Sequence, residues 1–216
     1  MNVPCVDFIA RKVIKPLHET LVLDRHLRVL SEHISQLISP QGRVKGLDVG
    51  CGSGKLARRM MDAFPNLEIV GADVVVRRDA FIPVIPYEGK RLPCADRSFD
   101  FTMLVDVLHH ADNPAGVLRE CRRASRRFVL IKDHICESRW DGMRLRMMDW
   151  GGNRAEGINM PYGYLSRSDW ERLFKEVGLV PDYSRYSLGL FPPPFSFIFE
   201  GSLHFIARLS LSGARG

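Results

Sequence analysis

The sequence predicts an α/β fold in which a mostly parallel sheet carries helices on both faces. Short apolar runs alternate with segments of helical periodicity from residue 43 to residue 135, as in consecutive strand–helix–strand units. A turn with glycines at alternate positions, Gly50 to Gly54, joins the first predicted strand to a helix. The last segment, 167–216, contains a helix and two strands, which predict an antiparallel hairpin at one edge of the sheet.

Composition favours one globular domain spanning residues 1–216, because this length supports a sizeable core. The chain has 31 basic and 25 acidic residues, a net charge of +6. No basic run is interleaved with aromatic residues, so we expect solvated helix faces rather than a nucleic-acid partner. We expect a monomer or a homodimer.

Cysteine usage points to a reducing compartment. The five cysteines are odd in number and none has CxxC spacing, which argues against disulfides and a zinc site. We therefore expect no metal. The N-terminus lacks a signal-peptide pattern and no apolar run approaches membrane-spanning length, so we expect a cytoplasmic protein without a membrane span.

Hydrophobic periodicity locates the elements in order. Apolar residues from Leu23 to Leu37 recur at helical spacing and predict a helix in an N-terminal cap over 1–40. Strands are predicted at 43–49, 67–73, 84–87, 99–105 and 128–131, with helices after the first and fourth of them. Asp112-Asn113-Pro114 opens the second of these helices.

The pattern changes over 136–166, which we interpret as an insertion on the acceptor side of the fold. An apolar-rich helix from Trp140 to Trp150 is predicted to break at Gly151-Gly152-Asn153. We expect the following amide- and aromatic-rich run to lie over the carboxyl edge of the sheet, where α/β sheets bind ligands.

The C-terminal part, 167–216, is predicted to hold the last helix and two strands. Ser168 to Glu171 has the pattern of a capping box, and its helix is predicted to stop at Gly178. The strands are predicted at 181–190 and 203–209. Between them, the proline- and phenylalanine-rich stretch 191–199 forms either a lid or a partner-binding patch.

Three families of ligand-binding loop could contain this glycine turn, and the sequence departs from the patterns of two of them. A phosphate-binding P-loop requires glycine at the position of Val49 and Ser or Thr at the position of Leu56, so it is excluded. The dinucleotide fingerprint requires a third glycine where Lys55 stands. An ordinary glycine-rich turn without a ligand remains the structural alternative.

An acid downstream supports ligand binding at this turn. Asp73 ends the second predicted strand, 19 residues after Gly54. In a βαβ unit this position lies beside the glycine turn, where a carboxylate accepts both hydroxyls of a ribose. A loop-capping role is the alternative.

Four segments in this order resemble class I S-adenosylmethionine (SAM)-dependent methyltransferases. They are the turn Asp48 to Gly54, the acid Asp73, the Leu-Pro-x-x-Asp-x-Ser-Phe-Asp run at 92–100, and the Val-Leu-His-His segment at 107–110. Within that family the chain looks closest to small-molecule and lipid-quinone methyltransferases of the type 11 domain. The resemblance implies a Rossmann-like, seven-stranded sheet, with 43–135 as the SAM-binding core.

The resemblance also implies the cofactor site. SAM is the expected cofactor and S-adenosylhomocysteine the product. Glu88 and Gly89 occupy the place where the adenine edge is read, although many relatives carry Asp-Ala there. The expected cofactor-binding residues are Asp48, Gly50, Cys51, Gly52, Gly54, Asp73, Glu88, Gly89 and Asp106.

Candidate catalytic residues follow strands four and five. Histidine suits proton transfer near neutral pH, and we rank His134 first as base, followed by His110 and His109. An acceptor that is already ionised needs only positioning, and a histidine in a loop can equally be a structural strut. The expected acceptor-binding residues are Lys132, Asp133, Asn159, Tyr162 and Tyr164.

The predicted function is transfer of a methyl group from SAM to a small-molecule acceptor. Two other classes stay open: methylation of RNA or protein, and SAM binding without catalysis. The segment after strand four lacks the Asn/Asp-Pro-Pro-Tyr pattern used on nucleic-acid amines, and no recognition domain is attached.

Overall fold

A computed structural model of the chain describes residues 24–38, 42–153 and 163–211, with side chains described outside 149–153. Seven strands form one sheet: β1 (Val44–Val49), β2 (Leu67–Asp73), β3 (Val84–Pro86), β4 (Phe99–Val105), β5 (Ser125–His134), β6 (Leu179–Tyr186) and β7 (His204–Leu211). The helices are α1 (Asp24–Ile38), α2 (Lys55–Ala63), α3 (Pro114–Ala124), α4 (Arg139–Asn153), α5 (Arg167–Glu176) and the short α6 (Ser196–Phe199). Single 3-10 turns occupy Leu108–His110 and Gly201–Leu203.

The strand order is β3-β2-β1-β4-β5-β7-β6. The first five strands in this order run parallel, whereas β7 is antiparallel to both β5 and β6. The predicted mostly parallel sheet with a C-terminal antiparallel pair is therefore confirmed. Because the parallel strands end at the same edge, the residues that follow β1, β2, β4 and β5 are brought together there.

Two apolar cores cover the two faces of the sheet. On one face, α3 and α5 contribute Leu118, Cys121, Trp170 and Phe174. On the other face, α1 and α2 pack against the sheet through residues such as Ile34 and Met60. Both faces of the central strands are thus buried, which explains why β4 is mostly apolar and why β5 has an apolar run from Phe128 to Ile131 at its centre.

Several local predictions differ from the structure. The cap of α5 is Ser166, which accepts the N–H of Asp169 (3.2 Å) while the Asp169 carboxylate accepts the N–H of Ser166 (3.3 Å). The capping box predicted at Ser168 with Glu171 is wrong, because Ser166 and Asp169 have the same serine–acid spacing two residues earlier and form the box instead. The α4 backbone also continues through Gly151-Gly152 to Asn153 instead of breaking there.

The strands near the C-terminus differ in length from the prediction. Strand β5 runs from Ser125 to His134 and so includes the polar residues predicted to follow it. Strand β6 ends at Tyr186, since Ser187 and Gly189 have φ values of +79° and +72° that an extended strand excludes. The predicted acceptor residues Asn159 and Tyr162, and the part of the N-terminal cap before Asp24, lie outside the described residues.

None of the helices in the described ranges is long and apolar enough to cross a bilayer.

Cys51, Cys94, Cys121 and Cys136 are free thiols.

Candidate functional site at the carboxyl edge of the sheet

The glycine turn between β1 and α2 adopts a conformation that needs glycine at each of its three positions. Gly50, Gly52 and Gly54 have φ values of +75°, +56° and +74°. A Cβ on Gly50 would lie 2.5 Å from Val107, and one on Gly54 would lie 2.5 Å from Ile82. Gly50 and Gly54 are therefore also needed for close packing.

Gly52 differs from the other two glycines because no atom lies within 4 Å of the position of a Cβ there. Its φ value favours glycine, yet the space above its main chain is open. Gly89, in the loop after β3, shares both properties, with a φ value of +75° and the same open space. We call the glycine turn and this loop the cradle; the main chain is open to the approach of a ligand at Gly52 and at Gly89.

Asp73 closes the cradle at the end of β2. Its Oδ2 accepts the N–H of Gly52 (2.7 Å), and its Oδ1 accepts the N–H of Val75 (2.9 Å). The carboxylate thus fixes the conformation of the glycine turn. Each carboxylate oxygen has a second lone pair, so this role is compatible with the predicted acceptance of ribose hydroxyls.

Asp48 lies buried beneath the turn, at 3 % exposure. Burial, together with the nearby charge of Asp73, raises the pKa of Asp48 to about 7. Burial and the same two carboxylates raise the pKa of the Cys51 thiol to about 12, so Cys51 is not a thiolate nucleophile. Glu88 is exposed beside Gly89.

A polar cluster occupies the ends of β4 and β5. Asp106 follows β4 with a φ value of +57°. Its Oδ1 accepts a hydrogen bond from Lys132 Nζ (2.5 Å) and lies 3.3 Å from His134 Nε2. Burial is the largest single influence and opposes ionisation, but Lys132 together with the surrounding histidines outweighs it and holds the pKa of Asp106 well below its usual range.

Asp133 organises the other half of this cluster. Its Oδ1 lies 2.6 Å from His109 Nδ1 and accepts the N–H of His134 (2.8 Å), and its Oδ2 accepts the N–H of Leu108 (3.0 Å). A carboxylate bound to one ring nitrogen fixes the orientation of a histidine. The ring of His109 also stacks on Tyr164, at 5.6 Å between centroids.

The leading catalytic candidate, His134, is 3 % exposed and is held by the fold on two sides. Its carbonyl accepts Trp170 Nε1–H (2.9 Å), and its Nε2 faces Asp106. Within the described part of the chain, Nδ1 has no hydrogen-bond partner. Burial, followed by the charge of Lys132, lowers its pKa well below the usual value, so His134 is neutral at neutral pH.

Sequence reasoning missed His204. It lies in β7 directly opposite His134, with 5.0 Å between ring centroids, and its Nε2 lies 2.7 Å from the carbonyl oxygen of Phe199. It is fully buried, and burial lowers its pKa well below the usual value. Only the β5–β7 register reveals this position, because 70 residues separate the two histidines in the sequence.

The structure therefore brings together most of the predicted acceptor-side residues. His109, His110, His134 and Tyr164 form one group of rings, in which His110 and Tyr164 are partly exposed. Lys132 and Asp133 lie beneath them, with side chains 0 % exposed. Their internal hydrogen bonds favour a supporting role over direct contact with an acceptor.

A metal could be held by one group among the described residues. Ligand atoms of His109, Asp133 and His134 lie within 4.8 Å of one another. However, His109 Nδ1 and both Asp133 oxygens already take part in the hydrogen bonds given above. Because the ligand atoms of two of the three residues are already engaged, we assign this group no metal.

Similarity to known sequences agrees with this geometry. Residues 19–183 match the family model described as a methyltransferase domain. The chain is 31% identical to demethylmenaquinone methyltransferase of Thermotoga maritima over 103 residues, which are 44% of this chain and 45% of the relative. It is 30% identical to tRNA (carboxymethyluridine(34)-5-O)-methyltransferase of Schizosaccharomyces pombe over 94 residues, 42% of this chain and 39% of the relative. These matches span less than half the length of either relative.

Solved structures share the fold. A methyltransferase in complex with the Trm112 methyltransferase activator of Haloferax volcanii superposes with a TM-score of 0.64 at 15% identity, covering 90% of this chain and 92% of that one. A SAM-dependent methyltransferase from Aquifex aeolicus superposes with a TM-score of 0.58 at 15% identity, covering 84% and 89%. With the family model matching most of the sequence and the open glycine cradle lying beside Asp73, the chain belongs to the class I SAM-dependent methyltransferases.

Proposed function

We propose that this protein transfers the methyl group of SAM to a small-molecule acceptor at the carboxyl edge of the sheet. The observation that carries the proposal is the proximity of two sites with complementary roles. The open cradle at Gly52 and Asp73 fits the cofactor, and the polar cluster of Asp106, His109 and Asp133 follows the neighbouring strands.

The residues that would hold SAM are those of the cradle. Gly52 lets the ligand approach the main chain, Asp73 accepts the ribose hydroxyls, and Glu88 and Gly89 border the adenine. Asp106, kept ionised by Lys132, supplies a carboxylate for the positively charged end of the cofactor. When bound, SAM would supply a methyl group attached to a sulfonium. After the transfer, the sulfur is left as a neutral thioether.

The protein must then position the acceptor and, where the acceptor carries a proton, remove it. We place His109 before His134 as the base, because the hydrogen bond between its Nδ1 and Asp133 fixes the orientation of the ring. His134 faces Asp106 through Nε2, so we assign it to holding that carboxylate. The partly exposed His110 and Tyr164 border the acceptor.

The small-molecule class is supported by two features. The segment after β4 lacks the Asn/Asp-Pro-Pro-Tyr pattern used on nucleic-acid amines, and one relative is, by its name, a demethylmenaquinone methyltransferase. The relative that is named as a tRNA methyltransferase supports the alternative of an RNA acceptor. The net charge of +6 is compatible with that alternative.

Methyl-labelled SAM distinguishes these acceptors. The purified protein is incubated with a cell extract divided into lipid, small-molecule, RNA and protein fractions. We expect label in the lipid or small-molecule fraction. Label in RNA or protein that nuclease or protease removes would overturn the proposed acceptor class, and SAM binding without labelling of any fraction would favour a non-catalytic binding protein.

A further inference from the structure

The loop after β3 borders the cradle through four residues, Glu88 to Arg91, which we call the cradle edge. All four are exposed, and none of them takes part in a hydrogen bond between main-chain groups of the described residues. Gly89, within this edge, has open space at the position of a Cβ. The place of the cradle edge therefore depends on how its two ends are held.

Strand β2 and the core beneath α3 hold the first end of the cradle edge. Tyr87, the residue before it, donates its N–H to the carbonyl oxygen of Asp73 (2.9 Å), the residue that closes the cradle. The Tyr87 side chain is 6% exposed and belongs to the apolar core that also contains Leu118 and Cys121 of α3. Packing and one main-chain hydrogen bond thus fix this end.

Two charged side chains of α3 hold the second end, at Leu92. The Arg123 guanidinium donates to the carbonyl oxygens of Leu92 (3.1 Å) and Cys94 (2.9 Å). The Glu120 carboxylate accepts the N–H of Leu92 (2.9 Å). Both main-chain groups of Leu92 are therefore bound to α3, and its side chain is only 2% exposed.

Arg123 and Glu120 also orient each other. Nε and Nη2 of Arg123 donate to Oε1 (3.0 Å) and Oε2 (2.7 Å) of Glu120, so the guanidinium and the carboxylate meet through two parallel hydrogen bonds. The two side chains are 18% and 19% exposed, and Asp96 accepts a further bond from Arg123 Nη1 (2.7 Å). The hydrogen bonds from Arg123 lower the pKa of Glu120, and the charge of Arg91 in the cradle edge adds to this effect.

We infer that Arg123 is a positioning residue for the cofactor, which holds the cradle edge through Leu92 in the place where Gly89 borders the adenine. This inference rests on the proposed function and extends it from the residues that touch SAM to a side chain behind them. A loop that is already held in its binding conformation loses little conformational entropy when the ligand binds. A loop that visits this conformation for only a fraction of the time binds more weakly by that fraction.

Calorimetric titration of Arg123→Gln with three ligands tests this role. SAM, S-adenosylhomocysteine and 5′-methylthioadenosine share the adenine and the ribose, but the last of them lacks the amino acid end. We expect all three to bind about tenfold more weakly, as they would if the cradle edge kept its conformation for about one-tenth of the time. Arg123→Lys keeps the charge beside Glu120 but lacks the fork of the guanidinium, so its loss should be smaller.

Arg119→Gln is the matched control, because it removes an equal charge from the same helix. Arg119 pairs with Glu176 of α5 (2.5 Å), and both side chains are more than half exposed. This pair does not contact the cradle edge, so we expect the variant to bind the three ligands as the unmodified chain does.

Limited digestion with trypsin, without ligand, provides a second measurement. Lys90 and Arg91 are cleavage sites within the cradle edge, and cleavage requires release of the loop from its ends. We expect cleavage at these sites to be faster in Arg123→Gln than in the unmodified chain, and unchanged in Arg119→Gln.

Unchanged affinity for the three ligands in folded Arg123→Gln would overturn the inference and leave Arg123 with a role in the fold alone. Equal losses in Arg119→Gln, or a loss confined to SAM and S-adenosylhomocysteine, would overturn it as well. A circular dichroism spectrum confirms that each variant is folded, and Arg123→Lys decides by the same criteria if Arg123→Gln does not fold.

Failure of the proposed function is visible separately, because the titrations do not depend on turnover. An unmodified chain that binds SAM but labels no acceptor fraction would overturn methyl transfer and leave the role of Arg123 to the affinities. An unmodified chain that binds none of the three ligands would overturn both.

Discussion

Single residues at the carboxyl edge serve the fold and the proposed chemistry at once. Asp73 fixes the glycine turn through the N–H of Gly52, and its remaining lone pairs are available to a ribose. Asp133 likewise satisfies two main-chain N–H groups while orienting His109. A substitution at either acid therefore changes both the local conformation and the ligand contacts.

Asp48 gives a prediction about pH. The pKa of Asp48 is about 7 in the folded chain and 3.8 in the unfolded chain, so protonation of Asp48 favours the folded state. This contribution to the free energy of unfolding is complete below pH of about 4 and is lost as pH rises through about 7. Asp48→Asn removes this dependence. Without ligand, we expect the variant to match the unmodified chain near pH 4 and to exceed its free energy of unfolding by a few kcal/mol, on the order expected from linkage, at pH 8.

Urea denaturation at the two pH values measures this difference. Asp62→Asn, at an exposed position on α2, is the control and should show no comparable gain at pH 8. Equal stability of Asp48→Asn and the unmodified chain at pH 8 would show that Asp48 is not held in an unfavourable buried environment.

The histidines give a prediction about turnover. If His109 removes the proton of the acceptor, His109→Asn should lower kcat by about 10²–10⁴-fold and leave SAM affinity unchanged. Turnover of the unmodified enzyme should also fall on acidification, because an imidazolium accepts no proton, and this acid limb should disappear in the variant. His134→Asn should lower kcat less.

Steady-state kinetics with the acceptor identified by labelling, over a range of pH, decide between the two histidines. A larger loss of kcat in His134→Asn than in His109→Asn would restore His134 as the base. Near-normal turnover in both variants would leave catalysis to positioning of an ionised acceptor.

At the scale of elements, the ends of helices and strands decide where the site residues lie. Helix α5 supports the cluster, because Trp170 donates from this helix to the carbonyl of His134. The orientation of that helix depends in turn on its capping box. The structure assigns the cap to Ser166, with Asp169 as its partner.

This assignment predicts different effects for two neighbouring serines. Ser166→Ala should lower the free energy of unfolding by about 1 kcal/mol, because it leaves the Asp169 N–H without its acceptor. Ser168→Ala, two residues on, removes a hydroxyl inside the first turn and should change stability by less than about 0.5 kcal/mol. Thermal or urea denaturation of the two variants would contradict the assignment if Ser168→Ala were the more damaging.

At the scale of the whole molecule, the sequence predicts the parallel half of the sheet better than the antiparallel edge. The bounds of β2 and β4 match the predicted bounds because both are apolar runs ending in an acid or a polar turn. Their carboxyl ends lie at one edge by the geometry of βαβ units, so Asp73 and the Asp106–His110 segment could be placed without a structure.

Contacts between distant strands could not be predicted in this way. The pairing of His134 with His204 depends on the insertion of β7 between β5 and β6. Local hydrophobic periodicity does not determine which residues of two distant strands lie opposite each other. The burial of Lys132 against Asp106 also results from tertiary packing. From the sequence alone, a lysine at the end of a strand is expected to be exposed. The acceptor contacts of Lys132 and Asp133 therefore stay predictions.

The ribose contact is a prediction about the assembled cofactor site. Asp73→Ala should weaken binding of SAM and S-adenosylhomocysteine by a similar factor, roughly 10- to 100-fold, because both ligands share the ribose. Calorimetric titration with each ligand measures the two losses. A loss confined to SAM would indicate that Asp73 responds to the sulfonium charge instead.

The central claim is that the glycine cradle binds SAM, and calorimetric titration of SAM into two glycine variants tests it most directly. Gly52 and Gly42 both have positive φ values, of +56° and +90°, and open space at the Cβ position. Valine therefore introduces similar backbone strain at each, but Gly42 precedes β1 at the opposite end of that strand from the cradle. We predict that folded Gly52→Val loses measurable SAM binding while Gly42→Val retains the affinity of the unmodified chain, and unchanged SAM affinity in folded Gly52→Val would contradict the account.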